Sequence, residues 1–181
     1  MYDSMERPRY DNLLIIAGTG RNSGKTTLTC MVISRFRELK PIAIKISPHF
    51  HEPAGGPVNL HVDDKFTICL ETLATGNKDT ARMLEAGASE AYYIQASDEN
   101  VREAFKFLTG RIPGDRPLIC ESPSLGKYHI PGVLFITDSN EIKAKKDLTA
   151  LLKKADLVLS PLSGKVDIDK LQFSGGQWLF G

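Results

Sequence analysis

The strongest constraint on the fold is an apolar run that passes directly into glycines and then into a Gly-Lys-Thr sequence. Residues 13–17 (LLIIA) are all apolar, and Gly18 and Gly20 follow them. This pattern predicts a strand that is buried on both faces of a sheet and ends in a tight turn. Residues 26–39 then carry apolar side chains at helical spacing, until Pro41 stops the helix. The chain is therefore expected to run from a strand through a glycine-rich loop into a helix.

The rest of the chain alternates between short apolar segments and amphipathic ones. Further strands are predicted at residues 42–46, 91–96, 118–120, 133–136 and 157–159, and further helices at residues 77–87, 98–108 and 142–154. A His-, Pro- and Gly-rich loop is predicted at about residues 47–64. Strands that alternate with helices indicate an α/β fold with a mainly parallel sheet covered by helices on both faces. Residues 1–181 are expected to form a single domain.

Composition and charge narrow the range of partners. The chain has 23 Lys and Arg residues against 22 Asp and Glu residues, so no nucleic-acid partner is expected. Its longest apolar run is far shorter than the ~20 residues that span a bilayer, and residues 1–10 lack the apolar core of a signal peptide. No membrane contact and a cytoplasmic location are therefore expected. The three cysteines, Cys30, Cys69 and Cys120, are predicted to be reduced thiols in the core.

Gly24, Lys25 and Thr26 match the end of the phosphate-binding pattern Gly-x-x-x-x-Gly-Lys-Thr/Ser. In that loop, backbone N–H groups surround the phosphates, the lysine reaches the terminal phosphates and the hydroxyl binds magnesium. The first position of the pattern is Thr19 rather than glycine, although glycines flank it. A lysine at a helix N-terminus is unfavourable next to the helix dipole, so Lys25 indicates an anionic ligand. The chain is predicted to bind a nucleoside triphosphate.

Two acidic residues are candidates for completing this site. Glu121 ends the strand at residues 118–120, where proteins with a phosphate loop place the carboxylate that orients magnesium or its water. Asp79 lies near the start of a predicted helix. The alternatives are a solvated carboxylate at a strand end and a charge that stabilises a helix dipole. Thr26, Asp79 and Glu121 are thus the predicted magnesium ligands, and Lys25 and Glu121 are the predicted catalytic residues.

Other features leave alternatives open. Lys45 is expected either to contact an anion or to lie on the surface with its ammonium in water. His49 and His51 could share a metal ion if extended, but metal sites need three or four ligands, so a surface or substrate-contact role is the alternative. Trp178, in the C-terminal SGGQWLF segment, is expected either to anchor the core or to help dock a partner. No guanine-reading Asn-Lys-x-Asp element is found, so GTP and ATP are both candidates.

Four segments of the chain occur in an order known from one family. They are RNSGKTTL at residues 21–28, IK at residues 44–45 before the His-bearing loop, KDTAR at residues 78–82 and EAGA at residues 85–88. Over about residues 12–138, the chain resembles the molybdopterin-guanine dinucleotide biosynthesis protein B family. The resemblance implies a P-loop NTPase-like three-layer sandwich that binds GTP with Mg²⁺ and hydrolyses it slowly. It also implies a homodimer that acts as an adaptor to a guanylyltransferase in molybdenum cofactor biosynthesis.

Carried over position by position, the resemblance assigns roles to individual residues. The expected nucleotide contacts are Gly20, Arg21, Asn22, Ser23, Gly24, Lys25, Thr26, Thr27, Lys45, Asp79 and Arg82, and Glu121 is expected to support them. The chain departs from the family pattern after Glu121, where Ser122 replaces a glycine, and in the long loop at residues 48–64.

A shorter similarity links the chain to dethiobiotin synthetase and the cobyrinate amidases. It is carried by Gly18-Thr19-Gly20 and by KTTLTC at residues 25–30. This similarity implies an ATP-dependent carboxylate ligase instead of an adaptor. The third alternative is a non-catalytic nucleotide-sensing interaction module, in which bound phosphate orders the long loop and the C-terminal segment docks a partner.

Overall fold

The computed structural model describes residues 6–20, 22–48, 57–139, 148–159 and 168–181 of the chain. Within them, the strands are β1 (Arg9–Gly18), β2 (Ile42–Ser47), β3 (Val58–Val62), β4 (Phe66–Leu70), β5 (Glu90–Ala96), β6 (Leu118–Glu121), β7 (Ile130–Thr137), β8 (Leu157–Leu159), β9 (Leu171–Ser174) and β10 (Gln177–Phe180). The helices are α1 (Lys25–Arg35), α2 (Asp79–Glu85), α3 (Val101–Thr109), α4 (Leu125–Tyr128) and α5 (Thr149–Leu152). None of these helices has the length and apolarity needed to cross a membrane.

Eight of the strands form one mixed sheet in the order β3-β4-β5-β2-β6-β1-β7-β8. Every neighbouring pair from β5 to β8 in this order is parallel, whereas β3 and β4 add two antiparallel pairings at one edge. The strands β9 and β10 form a separate antiparallel hairpin. The predicted α/β class and the mainly parallel sheet are confirmed. The carboxyl ends of β2, β6 and β1 lie side by side, which is where ligands bind in sheets of this kind.

Helices and the C-terminal hairpin pack against both faces of the sheet because its central strands are apolar on both faces. In β1, Leu13 and Ile15 belong to a core cluster with Phe105 of α3. Leu14 and Ile16 belong to a second cluster that includes residues of α1 and of the hairpin. All four β1 side chains are fully buried. A strand that alternates between two buried faces gives a continuous apolar run in the sequence, as β1 does.

The predicted loop at residues 47–64 is partly wrong, because β3 lies within it and β4 directly follows it. Residues 49–56 of this segment lie outside the described residues. Val58, Leu60 and Val62 of β3 are all exposed, and β3 pairs only with β4 among the described strands. An edge strand that buries neither face has no burial-driven alternation by which a sequence pattern could reveal it.

Two helix predictions differ from the structure at their ends. The first helix ends at Arg35 rather than at residue 39, and a 3-10 turn at Arg37–Leu39 follows it. The helix predicted at residues 142–154 is observed only as α5, and residues 140–147 lie outside the described part of the chain. The other predicted helices are present as α2 and α3, and each predicted strand lies within an observed one. The elements α4, β4, β9 and β10 have no counterpart among the predictions.

The hairpin of β9 and β10 places Trp178 in the core. Trp178 is 1% exposed, and its indole N–H donates to the Leu118 carbonyl oxygen over 3.2 Å. Gly175 and Gly176 form the turn, both with positive φ. The expectation that Trp178 anchors the core is confirmed, so its side chain is not exposed to a partner.

The cysteines are free thiols, as predicted. Cys69 and Cys120 are buried, whereas Cys30 is only half-buried, so the prediction of core thiols holds for two of the three. Burial raises the pKa of all three thiols. The reactive thiolate form is therefore disfavoured at each position.

His129 follows α4 and is a buried imidazole among aromatic rings. It is 1% exposed and lies against Tyr10 and Phe105, with ring centroids 5.5 and 4.9 Å away. Its Nδ1 has no hydrogen-bond partner among the described residues. Burial, assisted by the nearby charge of Arg102, lowers the pKa of His129 from 6.5 to about 4.

Acid is therefore expected to destabilise the fold through His129. Between pH 6.5 and about pH 4, the unfolded chain binds a proton that the folded protein rejects, so the free energy of unfolding falls as the pH falls. At about 1.4 kcal/mol for each pH unit, the loss reaches roughly 3 kcal/mol near pH 4. Urea unfolding at pH 8, 6 and 4 should show a smaller loss in His129→Leu than in the wild type. Parallel losses in the two proteins would exclude His129 as the cause.

Candidate functional site

The loop between β1 and α1 lies at the carboxyl end of a central strand. The strand ends at Gly18 and the helix begins at Lys25. Asn22 and Gly24 adopt positive φ values of 56° and 85°. A left-handed backbone at these two positions lets the loop curl back, and glycine and asparagine tolerate it best. Arg21 lies outside the described residues. The predicted succession of strand, glycine-rich loop and helix is confirmed.

Thr19, where the phosphate-binding pattern has glycine, attaches the loop to the end of β7. Its N–H donates to the Thr137 carbonyl oxygen over 3.0 Å. Its hydroxyl donates to Asp138 Oδ1 over 2.9 Å and accepts the N–H of Ser139 over 2.9 Å. A glycine could make only the first of these contacts. The position without room for a side chain is instead Gly18, where an added Cβ would lie 2.7 Å from Thr137 Oγ1.

Lys25 folds back over the loop. Its ammonium donates to the Gly20 carbonyl oxygen over 2.6 Å and to Ser23 Oγ over 3.1 Å. Ser23 is buried, and its hydroxyl also lies 2.8 Å from Thr137 Oγ1. Lys25 and Ser23 both line the cavity into which the loop opens. The ammonium is thus held at the loop by neutral oxygens, which an anionic ligand can replace.

Glu121 and Lys45 form a buried ion pair at the carboxyl ends of β6 and β2. The two residues are direct neighbours in the parallel register, so their side chains project from the same face of the sheet. The ammonium of Lys45 donates to Glu121 Oε1, and Glu121 Oε2 accepts the hydroxyl proton of Thr26 over 2.9 Å. The side chains of Lys45 and Glu121 are only 18% and 2% exposed. Glu121 is therefore not a solvated carboxylate, and Lys45 is not a surface lysine.

Asp79, the first residue of α2, is the second partner of Lys45. Its Oδ2 lies 3.0 Å from the Lys45 ammonium. Burial by itself would lower the pKa of Lys45, but the carboxylates of Glu121 and Asp79 outweigh burial and raise that pKa above its ordinary value. Lys45 is therefore a charged ammonium shared between two carboxylates.

Glu71 holds the start of α2 in place, and no sequence prediction identifies it. It is 5% exposed, accepts the hydroxyl proton of Thr80 over 3.0 Å and accepts the N–H groups of Thr72 and Leu73. Because Thr80 directly follows Asp79, this carboxylate also positions Asp79. Its sequence signal is an acidic residue directly after an apolar strand, which is the same signal that identifies Glu121.

The predicted site residues line one cavity of about 760 Å³. They are Gly20, Asn22, Ser23, Gly24, Lys25, Thr26, Thr27, Lys45, Asp79, Arg82 and Glu121. Arg82 lies nearly one helical turn after Asp79, and its guanidinium makes no salt bridge or hydrogen bond with another described side chain. Among the described residues, the lining therefore combines the cations of Lys25, Lys45 and Arg82 with two carboxylates. This excess of positive charge suits an anionic ligand.

The oxygen donors of the cavity fit magnesium only together with phosphate oxygens. Among the described residues, no three His, Cys, Asp or Glu side chains converge in a way that could hold a metal ion. The Thr26 hydroxyl and the carboxylates of Asp79 and Glu121 are hard donors of the kind that magnesium prefers, and magnesium commonly keeps waters and substrate phosphates as its other ligands. His49 and His51 lie outside the described residues, so the metal pair stays a prediction.

The residues around this cavity come from four separate parts of the chain, namely the loop after β1, the end of β2, the start of α2 and the end of β6. The sheet brings these parts together because β2, β6 and β1 are adjacent in it. Function must be inferred from the geometry of the site. Comparisons of the chain with protein families, with curated proteins and with solved structures find no match.

Proposed function

We propose that this chain binds a purine nucleoside triphosphate, with GTP favoured, together with magnesium, and that it does so as a P-loop NTPase-like three-layer sandwich. The observation that carries the proposal is the position of Lys25 and Thr26 in the first turn of α1, directly after a curled loop at the carboxyl end of β1. P-loop proteins bind phosphates with this arrangement. The cations of Lys45 and Arg82 beside Lys25 support a ligand of high negative charge.

In this proposal the loop binds the phosphates and the surrounding side chains position them. Lys25 would exchange a loop carbonyl for the β- and γ-phosphates, and backbone N–H groups of residues 22–27 would surround the same oxygens. The Thr26 hydroxyl, with Asp79 and Glu121, would hold magnesium or its water shell. Magnesium, when bound, supplies neutralisation of the terminal phosphates. Hydrolysis would depend on positioning and charge stabilisation without a covalent intermediate, which suits a weak or partner-dependent GTPase.

The biological role is proposed from the resemblance to the molybdopterin-guanine dinucleotide biosynthesis protein B family. On this basis the protein serves molybdenum cofactor biosynthesis, acts as an adaptor to a guanylyltransferase and forms a homodimer. The KDTAR segment at residues 78–82 supports this role, since its Asp79 and Arg82 both line the cavity. Co-purification with a guanylyltransferase and the mass of the protein in sedimentation are the measurements that test it.

Lys25→Ala is expected to weaken binding of a fluorescent GTP analogue by roughly 10- to 100-fold, because a charge-assisted contact contributes about 1.5–3 kcal/mol. The measurement is an anisotropy titration in the presence of magnesium. Lys65→Ala is the matched control, since Lys65 is an exposed lysine that pairs with Glu103 on the surface. Unchanged affinity in Lys25→Ala would exclude this loop as the phosphate site.

The base is identified by competition. Displacement of the fluorescent analogue by GTP and by ATP, each with magnesium and with EDTA, measures the base preference and the metal requirement together. Tighter binding of GTP supports the adaptor role in cofactor biosynthesis. Tighter binding of ATP would transfer support to the second candidate function.

Arg82 favours that second candidate, an ATP-dependent carboxylate ligase of the dethiobiotin synthetase type. Its guanidinium lines the cavity and has no side-chain partner in the described part of the chain, so it is available for the carboxylate of a second substrate. A ligase of this type transfers the γ-phosphoryl group to a carboxylate, so short mono- and dicarboxylic acids should stimulate phosphate release from ATP. Nucleotide binding without turnover under any of these conditions would indicate a nucleotide-sensing interaction module.

A further inference from the structure

We infer that Lys45 is an internal cation that keeps free magnesium out of the candidate site, so that magnesium enters only together with the nucleotide phosphates. The entry of magnesium with nucleotide rests on the proposed function. The exclusion of free magnesium concerns only Lys45, Glu121 and Asp79 and can be measured without nucleotide. Lys45 is in this sense a positioning and specificity-determining residue rather than a catalytic one.

One ammonium connects both carboxylates of the cavity. Lys45 donates to Glu121 Oε1, and its Nζ lies 3.0 Å from Asp79 Oδ2. The other oxygen of Glu121 accepts the hydroxyl proton of Thr26. Thr26, Asp79 and Glu121 are also the side chains that offer hard oxygen donors to magnesium. The Lys45 ammonium and a magnesium ion therefore compete for the same oxygens.

Burial makes this competition uneven. The side chain of Glu121 is 2% exposed and that of Lys45 is 18% exposed. Removing one partner of a buried ion pair is strongly destabilising, because the other charge is left without compensation. A free magnesium ion that displaced Lys45 would leave its ammonium without a carboxylate and would also lose part of a tightly held hydration shell. The exchange is unfavourable unless Lys45 gains another anion.

A nucleoside triphosphate supplies that anion. Its γ-phosphate gives Lys45 a new partner, and its oxygens complete the magnesium shell that two carboxylates and a hydroxyl cannot complete. The other cations do not substitute for Lys45: Lys25 is held by Gly20 and Ser23, and Arg82 makes no salt bridge with either carboxylate. Nucleotide binding thus transfers Lys45 from the carboxylates to phosphate and releases the carboxylates to the metal.

The first test removes the ammonium and needs no nucleotide. Lys45→Met keeps an unbranched side chain of similar length without the charge. In EDTA, its unfolding midpoint is expected to lie roughly 5 °C or more below that of the wild type, since Glu121 loses its cation. Magnesium chloride at 5 mM should raise the midpoint of the variant by several degrees and that of the wild type by less than about 1 °C.

Matched variants separate this effect from a general loss of packing. Lys65→Met, which breaks an exposed lysine–glutamate pair, should show neither the lower midpoint nor the response to magnesium. Lys45→Arg keeps a cation and should also ignore magnesium. The double variant Lys45→Met/Glu121→Gln removes the charge that needs compensation, so it should lose the magnesium response.

Manganese binding gives an independent measurement if Lys45→Met fails to fold. Electron paramagnetic resonance of nucleotide-free Lys45→Gln should show manganese binding at least about tenfold tighter than in the wild type. Wild-type protein that responds to either free metal as strongly as the Lys45 variants would overturn the inference, and so would Lys45 variants that ignore both metals. If the wild type binds no fluorescent nucleotide but these variants respond to metal, the proposed function fails and the exclusion of free metal by Lys45 stands.

Discussion

Gly18→Ala is expected to abolish detectable binding of the fluorescent GTP analogue while the protein stays folded. An added Cβ would lie 2.5 Å from Ser23 Oγ, 2.7 Å from Lys25 Cδ and 2.7 Å from Thr137 Oγ1, so these side chains must move. All three belong to the hydrogen-bonded centre of the loop. A displacement of about 1 Å in a positioned group can reduce its effect about 100-fold. We therefore expect the affinity to fall by more than about 100-fold.

Anisotropy titration and urea unfolding of the same samples measure the two parts of this expectation. Gly114→Ala is the matched control, because a Cβ at that position would meet nothing within 4 Å. It should bind the analogue as the wild type does. Near-normal affinity in Gly18→Ala would contradict the requirement for glycine at this position, and unfolded protein would show that β1 rather than the loop is affected.

Trp178→Ala is expected to lower the free energy of unfolding by about 3–5 kcal/mol, the usual effect of removing a large buried aromatic side chain. The indole contacts the rings of Phe36 and Phe173 at centroid distances of 4.9 and 5.0 Å. Its N–H also donates to the carbonyl oxygen of Leu118, at the start of the strand that ends in Glu121. The substitution therefore leaves both a cavity and a buried carbonyl without its donor.

Leu179→Ala is the matched control for this variant. Leu179 is the next residue of the same strand and is 43% exposed, so its truncation should change stability by no more than about 0.5 kcal/mol. Because Trp178 is the single tryptophan of the chain, unfolding is followed by far-ultraviolet circular dichroism in all three proteins. Equal losses in the two variants would contradict the role of Trp178 as a core anchor.

The elements next to the site could be predicted because their signals are local. The apolar run of β1, the loop around Gly24-Lys25-Thr26 and the acidic residue after β6 each lie within a few neighbouring positions. The β3–β4 and β9–β10 hairpins could not be predicted in the same way. Exposure of Val58, Leu60 and Val62 removes the alternation from β3. Strands of this kind are specified by the partner strand, which no local pattern identifies.

The contacts within the site depend on strand order. Lys45 could be assigned to an anion or to the surface, but not to Glu121, because the sequence does not say that β6 lies beside β2. The parallel register sets Lys45 directly opposite Glu121, and α2 then brings Asp79 to the same ammonium. The role of Thr19 is decided in the same way, by the adjacency of β1 and β7.

The sequence by itself determined the strand, glycine-rich loop and helix around Lys25, the α/β class and the set of charged residues from which the site is built. Each of these follows from residue types at short spacing. Only the tertiary structure decided that one ammonium, that of Lys45, holds two carboxylates, that Glu71 positions the start of α2 and that Trp178 is buried. These are pairings between residues far apart in the chain, and strand order and register, which set them, arise only when the whole sheet forms.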